Sequence, residues 1–296
     1  GFGGFLGTYV DYELSKVRNA EIYKDQKLLG FERLSSSRTI LIVDSAKKFT
    51  MISDSRSYRT SDLSFEITTG QRPIFVNNSE FNSFLGSSSL FFGFESNFNS
   101  LTFNLRGSYP RNISSFYKPK NDIITVEKRP NFYDQSLIVS KKYTDMRGLK
   151  HRRKFELAPS GKTIRCTDDI IHSKEFKSFF QQGKGLFRSS LLEVHLSFCL
   201  HPDVEIIKTK NSQKLFFKIK NNEVWTFRLS GGELDLKILD FIEPIQMTRV
   251  KSTQILVPLK LKQSEVQIRW SLVHESSSLK VTRDRKIVDD QLNVYM

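Results

Sequence analysis

The chain lacks several features that would place it quickly. No run of about 18 apolar residues occurs anywhere, so no membrane-crossing helix is expected. No basic stretch followed by an apolar core and a small-residue cleavage site stands near Gly1, so no secretion leader can be read. The two cysteines, Cys166 and Cys199, show neither CxxC spacing nor Cys/His metal spacing. One disulfide is conceivable, but two separate buried thiols are the expectation, since a free cysteine behaves as a small core hydrophobe. There is no Gly-rich phosphate loop and no internal repeat. Histidine is missing from the whole of residues 1–150; the five present are His151, His172, His195, His201 and His274. That gap excludes an imidazole base or metal ligand from the first half of the chain.

What is present is ordinary for a folded protein: 38% hydrophobic and 26% charged residues across 296 positions, enough for one large all-β domain or two ordinary ones. The balance of 46 Lys plus Arg against 32 Asp plus Glu gives a net charge of +14. A basic surface attracts polyanions, whether acidic polysaccharide, nucleic acid or anionic lipid. The plainer reading is lysine-rich solubility. The cations are spread along the chain, and the densest group is Lys150, His151, Arg152, Arg153 and Lys154. The absence of a long basic tail weakens the nucleic-acid reading.

Alternation with period two dominates the pattern. Leu63, Phe65 and Ile67 alternate with Ser64, Glu66 and Thr68, and RPIFV follows after a Gly-containing turn, which predicts a hairpin. Leu215, Phe217 and Ile219, then Asn221 and Asn222, then Trp225, Phe227 and Leu229 predict a second hairpin with one buried face. Val266, Ile268, Trp270 and Leu272 form another strand, for which Ile255, Val257, Leu259 and Leu261 are the expected partner. Thr39 to Ser45 is nearly all apolar and predicts a central strand. Mixed helical spacing occurs only over Tyr9 to Leu34. A long loop is expected over Asn82 to Ser100, and a polar tail from Glu275 to Met296. The fold class expected is all-β, a large antiparallel β-sandwich.

Five segments, in order, carry a resemblance. They are GFERLSSSRTILIVDSA (Gly30 to Ala46), YRTSDLSFEITTGQRPIFVNN (Tyr58 to Asn78), GLKHRRKFELAPSGKTIRCTDDI (Gly148 to Ile170), HLSFCLHPDVEI (His195 to Ile206) and NNEVWTFRL (Asn221 to Leu229). Together they resemble the C-terminal β-domain of heparinase II/III-like polysaccharide lyases. The resemblance implies a β-sandwich over residues 30–275, a linker from a missing helical toroid domain over 1–29, and a polar tail over 276–296. It also implies acidic polysaccharide as partner and the bacterial periplasm or cell envelope as compartment.

Such a lyase neutralises a uronate carboxylate and places a base and an acid beside C5 and the leaving oxygen. In the family a β-domain histidine shares this work, and two histidines with an aspartate can hold a structural zinc. Here those positions align to Ser57 (the catalytic histidine), Arg59 and Phe98 (zinc histidines) and Asn77 (the zinc aspartate). Serine without a base is a poor proton acceptor, arginine does not ligate metal at ordinary pH, and phenylalanine offers no ligand. No catalytic residue, metal or cofactor is therefore assigned, and a degenerate or inactive lyase domain is the expectation. The candidate substrate-binding residues are Arg59, at the start of the LSFEI hairpin, and His151, Arg152 and Arg153, as the lining of a polyanion groove. Against these stand a surface ion pair of Arg59 with Asp54 or Asp62, and a strand-anchoring role for His151 and His201. His172, His195 and His274 have no partner at diagnostic spacing. Trp225 and Trp270, on apolar faces, are expected in the core rather than as sugar-stacking platforms. The alternatives carried forward are a non-catalytic glycan-binding or structural β-domain, and a basic nucleic-acid-binding protein.

Overall fold

A computed structural model of the chain describes residues 30–45, 63–77, 98–105, 123–130, 135–143, 149–172, 192–208, 213–220, 222–243, 248–260, 264–275 and 294–295. All regular elements among them are strands: β1 (Phe31–Ser35), β2 (Thr39–Asp44), β3 (Phe65–Thr69), β4 (Arg72–Phe75), β5 (Leu101–Leu105), β6 (Ile123–Pro130), β7 (Gln135–Tyr143), β8 (Leu149–Leu157), β9 (Thr163–Ile171), β10 (Leu192–Cys199), β11 (Glu205–Lys208), β12 (Lys214–Lys218), β13 (Val224–Ser230), β14 (Asp235–Ile242), β15 (Arg249–Pro258), β16 (Glu265–Glu275) and β17 (Val294–Tyr295).

The strands form three antiparallel sheets, ordered β1-β2-β3-β4, β14-β15-β10-β5 and β17-β11-β12-β13-β16-β9-β8-β7-β6. A bridge between Phe75 and Leu200, with Val76 N donating to Cys199 O at 3.0 Å, joins the two smaller sheets: edge strand β4 of the first meets the end of β10 in the second, past the stretch that β5 pairs. They make one layer that faces the nine-stranded sheet across a shared core. The layers meet in aromatic rings: Phe65 stacks on Trp270 at 5.3 Å, Phe198 meets Trp270 edge-on at 5.4 Å, and Phe75 meets Phe217 at 5.9 Å. Rings at these separations add to area burial through their quadrupoles.

The alternation read from the sequence is the mechanism of this packing. On β8 every odd-numbered residue from Leu149 to Leu157 is buried and the even ones between them are only partly covered. Trp225 and Trp270 both lie in the core. Cys166 and Cys199 are both buried, and no disulfide joins them. Asn222 closes the β12–β13 hairpin with φ +61°, a left-handed conformation that asparagine tolerates.

Two expectations are corrected. The stretch Phe31 to Leu34, read with helical spacing, is strand β1; residues 9–29 lie outside the described residues. Ile255 and Val257 do not partner the Val266–Leu272 strand: β15 pairs β10 and β14, while β16 pairs β13 and β9. Period two fixes which face of a strand is buried, and facing layers show the same period, so it cannot choose the pairing partner. Of the loop expected over Asn82 to Ser100, Phe98–Ser100 are described and lead into β5; of the polar tail from Glu275, Glu275 ends β16 and Val294–Tyr295 pair with β11, and the rest lies outside the described residues.

Candidate functional site

One end of β3 gathers three chain segments. The β2–β3 pairing extends through Asp44 N donating to Ser64 O at 2.8 Å and Leu63 N donating to Asp44 O at 3.1 Å. Leu63 then adopts φ +56°, an uncommon conformation for a branched residue. Its carbonyl, and that of Asn99, each accept a bond from Arg153 Nη1 at 2.8 Å. A single guanidinium on β8 thus pins the start of β3 and the segment before β5.

Arg153 is fully buried, with its charged carbon 4.9 Å from the Phe65 ring centroid. Its counter-ion is Asp168 on β9, also fully buried, which accepts from Arg153 Nε at 2.6 Å and His151 Nε2 at 2.7 Å through Oδ1. Trp270 Nε1 donates to Oδ2 at 3.0 Å. Burial alone would raise the Asp168 carboxyl; the Arg153 guanidinium and the His151 bond outweigh it and hold the group well below the usual carboxylate range. Burial lowers the His151 imidazole despite Asp168, so it is neutral and carries its proton on Nε2. The charge in this cluster is balanced as one Arg⁺–Asp⁻ pair.

Beside it lies a second buried network. Asn77 N donates to Glu66 Oε1 at 3.0 Å, and Asn77 Nδ2 to Ser64 Oγ at 3.4 Å. Asn77 Oδ1 accepts from Asn99 N at 2.9 Å. Asn99 Nδ2 donates to Phe65 O at 2.8 Å, and its Oδ1 accepts from Cys199 N at 2.5 Å. Two amides therefore tie β3, β4 and β10 together.

The structure separates the candidate residues. Ser57 and Arg59 lie outside the described residues. His151 and Arg153 face inward, and neither side chain reaches a surface where a polyanion could bind, so the strand-anchoring alternative describes their geometry. Arg152 is the outward member of the group: its side chain is 42% exposed, with Nη1 3.4 Å from Asp169 Oδ2. His201 anchors its turn, Nδ1 accepting from Asp203 N at 3.1 Å while the ring packs on Phe241. Sequence reading missed Asp168 and Asn99. For Asp168 the signal was there, since it shares an alternating face with Ile164, Cys166 and Ile170. For Asn99 there was none, because no strand pattern reaches it.

The zinc that the family can hold does not fit these residues. The Asn77 amide oxygen already accepts from Asn99, and Phe98 is a buried ring with no ligand atom. No group of three His, Cys, Asp or Glu among the described residues could hold a metal ion.

Fold and site define an all-antiparallel β-sandwich domain with a buried ionic hub at its centre. Its family follows from comparison: the chain belongs to the heparinase II/III-like family, whose C-terminal domain profile matches residues 22–271. Among solved structures it is similar to heparan sulfate lyase HepC from Pedobacter heparinus, at 10% identity and TM-score 0.60, over 92% of this chain and 41% of that one. It is similar also to a heparinase III gene product, at 14% identity and TM-score 0.57, over 91% of this chain and 41% of that one. A further heparinase III matches at 13% identity and TM-score 0.56, over 82% of this chain and 35% of that one. The chain thus spans about two fifths of the length of these lyases. No curated protein matches it.

Proposed function

We propose that this β-domain engages uronic-acid-containing acidic polysaccharide without cleaving it. The observation that carries the reading is the placement of histidine. None occurs in residues 1–150, where the family's β-domain histidine belongs, and Ser57, Arg59 and Phe98 stand at the aligned positions. The five that remain cannot substitute. His151, His172 and His195 are buried, and His201 and His274 expose only 12% and 10% of their side chains. Membership of a family whose solved relatives are titled heparinase and heparan sulfate lyase, together with a net charge of +14, favours an acidic glycan as partner. In this reading Arg59 offers its guanidinium fork to a carboxylate or sulfate, and Arg152 contributes from the exposed face of β8.

The test is a lyase assay on the protein in its longest natural form, with heparan sulfate, heparin and alginate. β-Elimination leaves an unsaturated uronate whose ultraviolet absorbance reports turnover. The expected result is no rise with any substrate, alongside salt-sensitive retention on immobilised heparan sulfate. A rise in absorbance would overturn the non-cleaving reading, and loss of retention would overturn the glycan partner.

A further inference from the structure

The nine-stranded sheet has a second face, turned away from the core; of the residues assigned above it carries Arg152, at the margin of two cationic rows. Its residues follow from the registers. In one row Glu156 on β8 lies opposite Arg165 on β9, Arg165 opposite Ser271 on β16, Ser271 opposite Arg228 on β13, and Arg228 opposite Lys214 on β12. In the adjacent row Lys154 lies opposite Thr167, Thr167 opposite Arg269, and Arg269 opposite Ser230. Arg165, Arg228 and Arg269 are exposed. Lys154 is 38% exposed, and Lys214 lies with Nζ 4.2 Å over the Phe216 ring.

Five cations therefore cross five consecutive strands in two neighbouring rows. At about 4.8 Å per strand the stripe is about 19 Å long. Among the described residues, few acidic side chains face it. Glu156 is engaged by Lys154, and Asp169, one row further on, is held by Arg152 and by Gln267 Nε2 at 2.7 Å. Among the described residues of these two rows, Thr167, Ser230 and Ser271 stand beside the cations, small hydroxyl-bearing residues that offer hydrogen bonds. Of the large aromatics on these strands, Phe155, Phe217, Trp225, Phe227 and Trp270 point into the core, and Phe216 lies on the outer face beneath Lys214.

We infer that this outer stripe, centred on Arg165, Arg228 and Arg269, is a binding surface for a linear acidic polysaccharide, separate from the end of β3. The inference rests on the glycan reading above and adds where such a chain lies. Guanidinium forks match carboxylate and sulfate groups bidentately. Arg165 and Arg228 sit two strands apart, roughly 10 Å, so they engage separate anionic groups rather than one. Interleaved hydroxyls suit a partner covered in hydroxyls. Single-stranded nucleic acid is the poorer fit, because binding it draws on several exposed aromatic platforms, and the described strands of this face carry one half-buried ring, Phe216, already covered by Lys214.

The experiment measures affinity for a size-defined heparan sulfate fragment at several salt concentrations. It compares the unaltered chain with Arg165→Ser/Arg228→Ser/Arg269→Ser, with the same three positions changed to Lys, and with Lys237→Ser on β14 in the other layer. Melting curves confirm folding, and Arg228→Glu alone serves if the triple variant does not fold. The serine triple should lose roughly tenfold in affinity, a few-fold for each exposed cation, and should flatten the salt dependence. The lysine triple should lose less, and Lys237→Ser nothing. Full binding by the serine triple, or by Arg228→Glu where that variant stands in for it, would sink the stripe and leave the functional reading standing. No binding by the unaltered chain would sink both. Equal binding of duplex DNA, lost equally in the serine triple, would overturn the assignment to glycan.

Discussion

Asp168 accepts four hydrogen bonds on two oxygens in a fully buried site, each from a different kind of donor: imidazole, guanidinium, indole and, more weakly at 3.8 Å, the Cys166 thiol. Burying an ion pair is costly, but breaking one leaves an uncompensated charge, which costs more. Asp168→Asn keeps the shape and removes the charge, leaving the Arg153 guanidinium without its counter-ion. The expected loss is about 3–5 kcal/mol in urea or guanidinium unfolding, a large share of a domain's total stability. A loss below about 1 kcal/mol, the scale of an exposed pair, would mean that the pair is solvated. Half of this hub was legible in the sequence. Asp168 alternates with apolar Ile164, Cys166 and Ile170, and His151 and Arg153 alternate with Leu149, Phe155 and Leu157, so all three belong to an inward face. Reading His151 and Arg153 as a groove lining weighed their charge above their period. Their meeting at one carboxylate depends on the β8–β9 register, in which Arg153 lies opposite Asp168.

Among the strands, the turns at one end of the sandwich lock to each other through a glycine. Gly161, between β8 and β9, has φ +65°, and its carbonyl accepts from Thr39 Oγ1 at 2.7 Å. A Cβ built there would lie 2.7 Å from Arg38 Cγ in the β1–β2 turn. Arg38 in turn reaches Glu223 before β13 at 2.5 Å, and Glu223 accepts from Trp225 Nε1 at 3.4 Å. Gly161→Ala meets both a left-handed backbone, costing about 1–2 kcal/mol for an L side chain, and a collision with the β1–β2 turn. The expected outcome is a destabilisation of about 2 kcal/mol or more. Thermal melting of the single variant checks it; a melt within error of the unaltered chain would show that the two turns do not touch in solution. The hairpins themselves were readable from period two and their turn residues. The lock was not, because Arg38, Gly161 and Glu223 come from turns more than 60 residues apart.

For the whole molecule, acid is the informative variable. Burial lowers the His201 imidazole to about 4, with Asp203 only partly opposing it, and burial lowers His151 as well. An unfolded histidine titrates near 6.5. Below that pH the unfolded chain takes up protons that the folded one refuses. Stability is therefore full above about pH 6.5 and falls as pH drops toward 4, by up to about 3 kcal/mol for His201. Asp168 acts in a lower window: its depressed carboxyl contributes fully above the ordinary carboxylate range and loses that contribution progressively as pH falls through and below it. Denaturant midpoints at pH 7, 5.5 and 4.5 should decline, and His201→Asn, which retains an acceptor for Asp203 N, should flatten the decline. An unchanged slope in that variant would assign the loss to other groups. At this scale the division between sequence and tertiary structure is clear. The sequence by itself determined the all-β class, the inward and outward faces of most strands, the family and the lack of histidine before residue 151, because alternation and residue identity are local properties. Only the tertiary structure decided which strands pair, that His151 and Arg153 close on Asp168, and that Arg165, Arg228 and Arg269 share one outer face. Register joins residues far apart in the chain, and no local pattern encodes it.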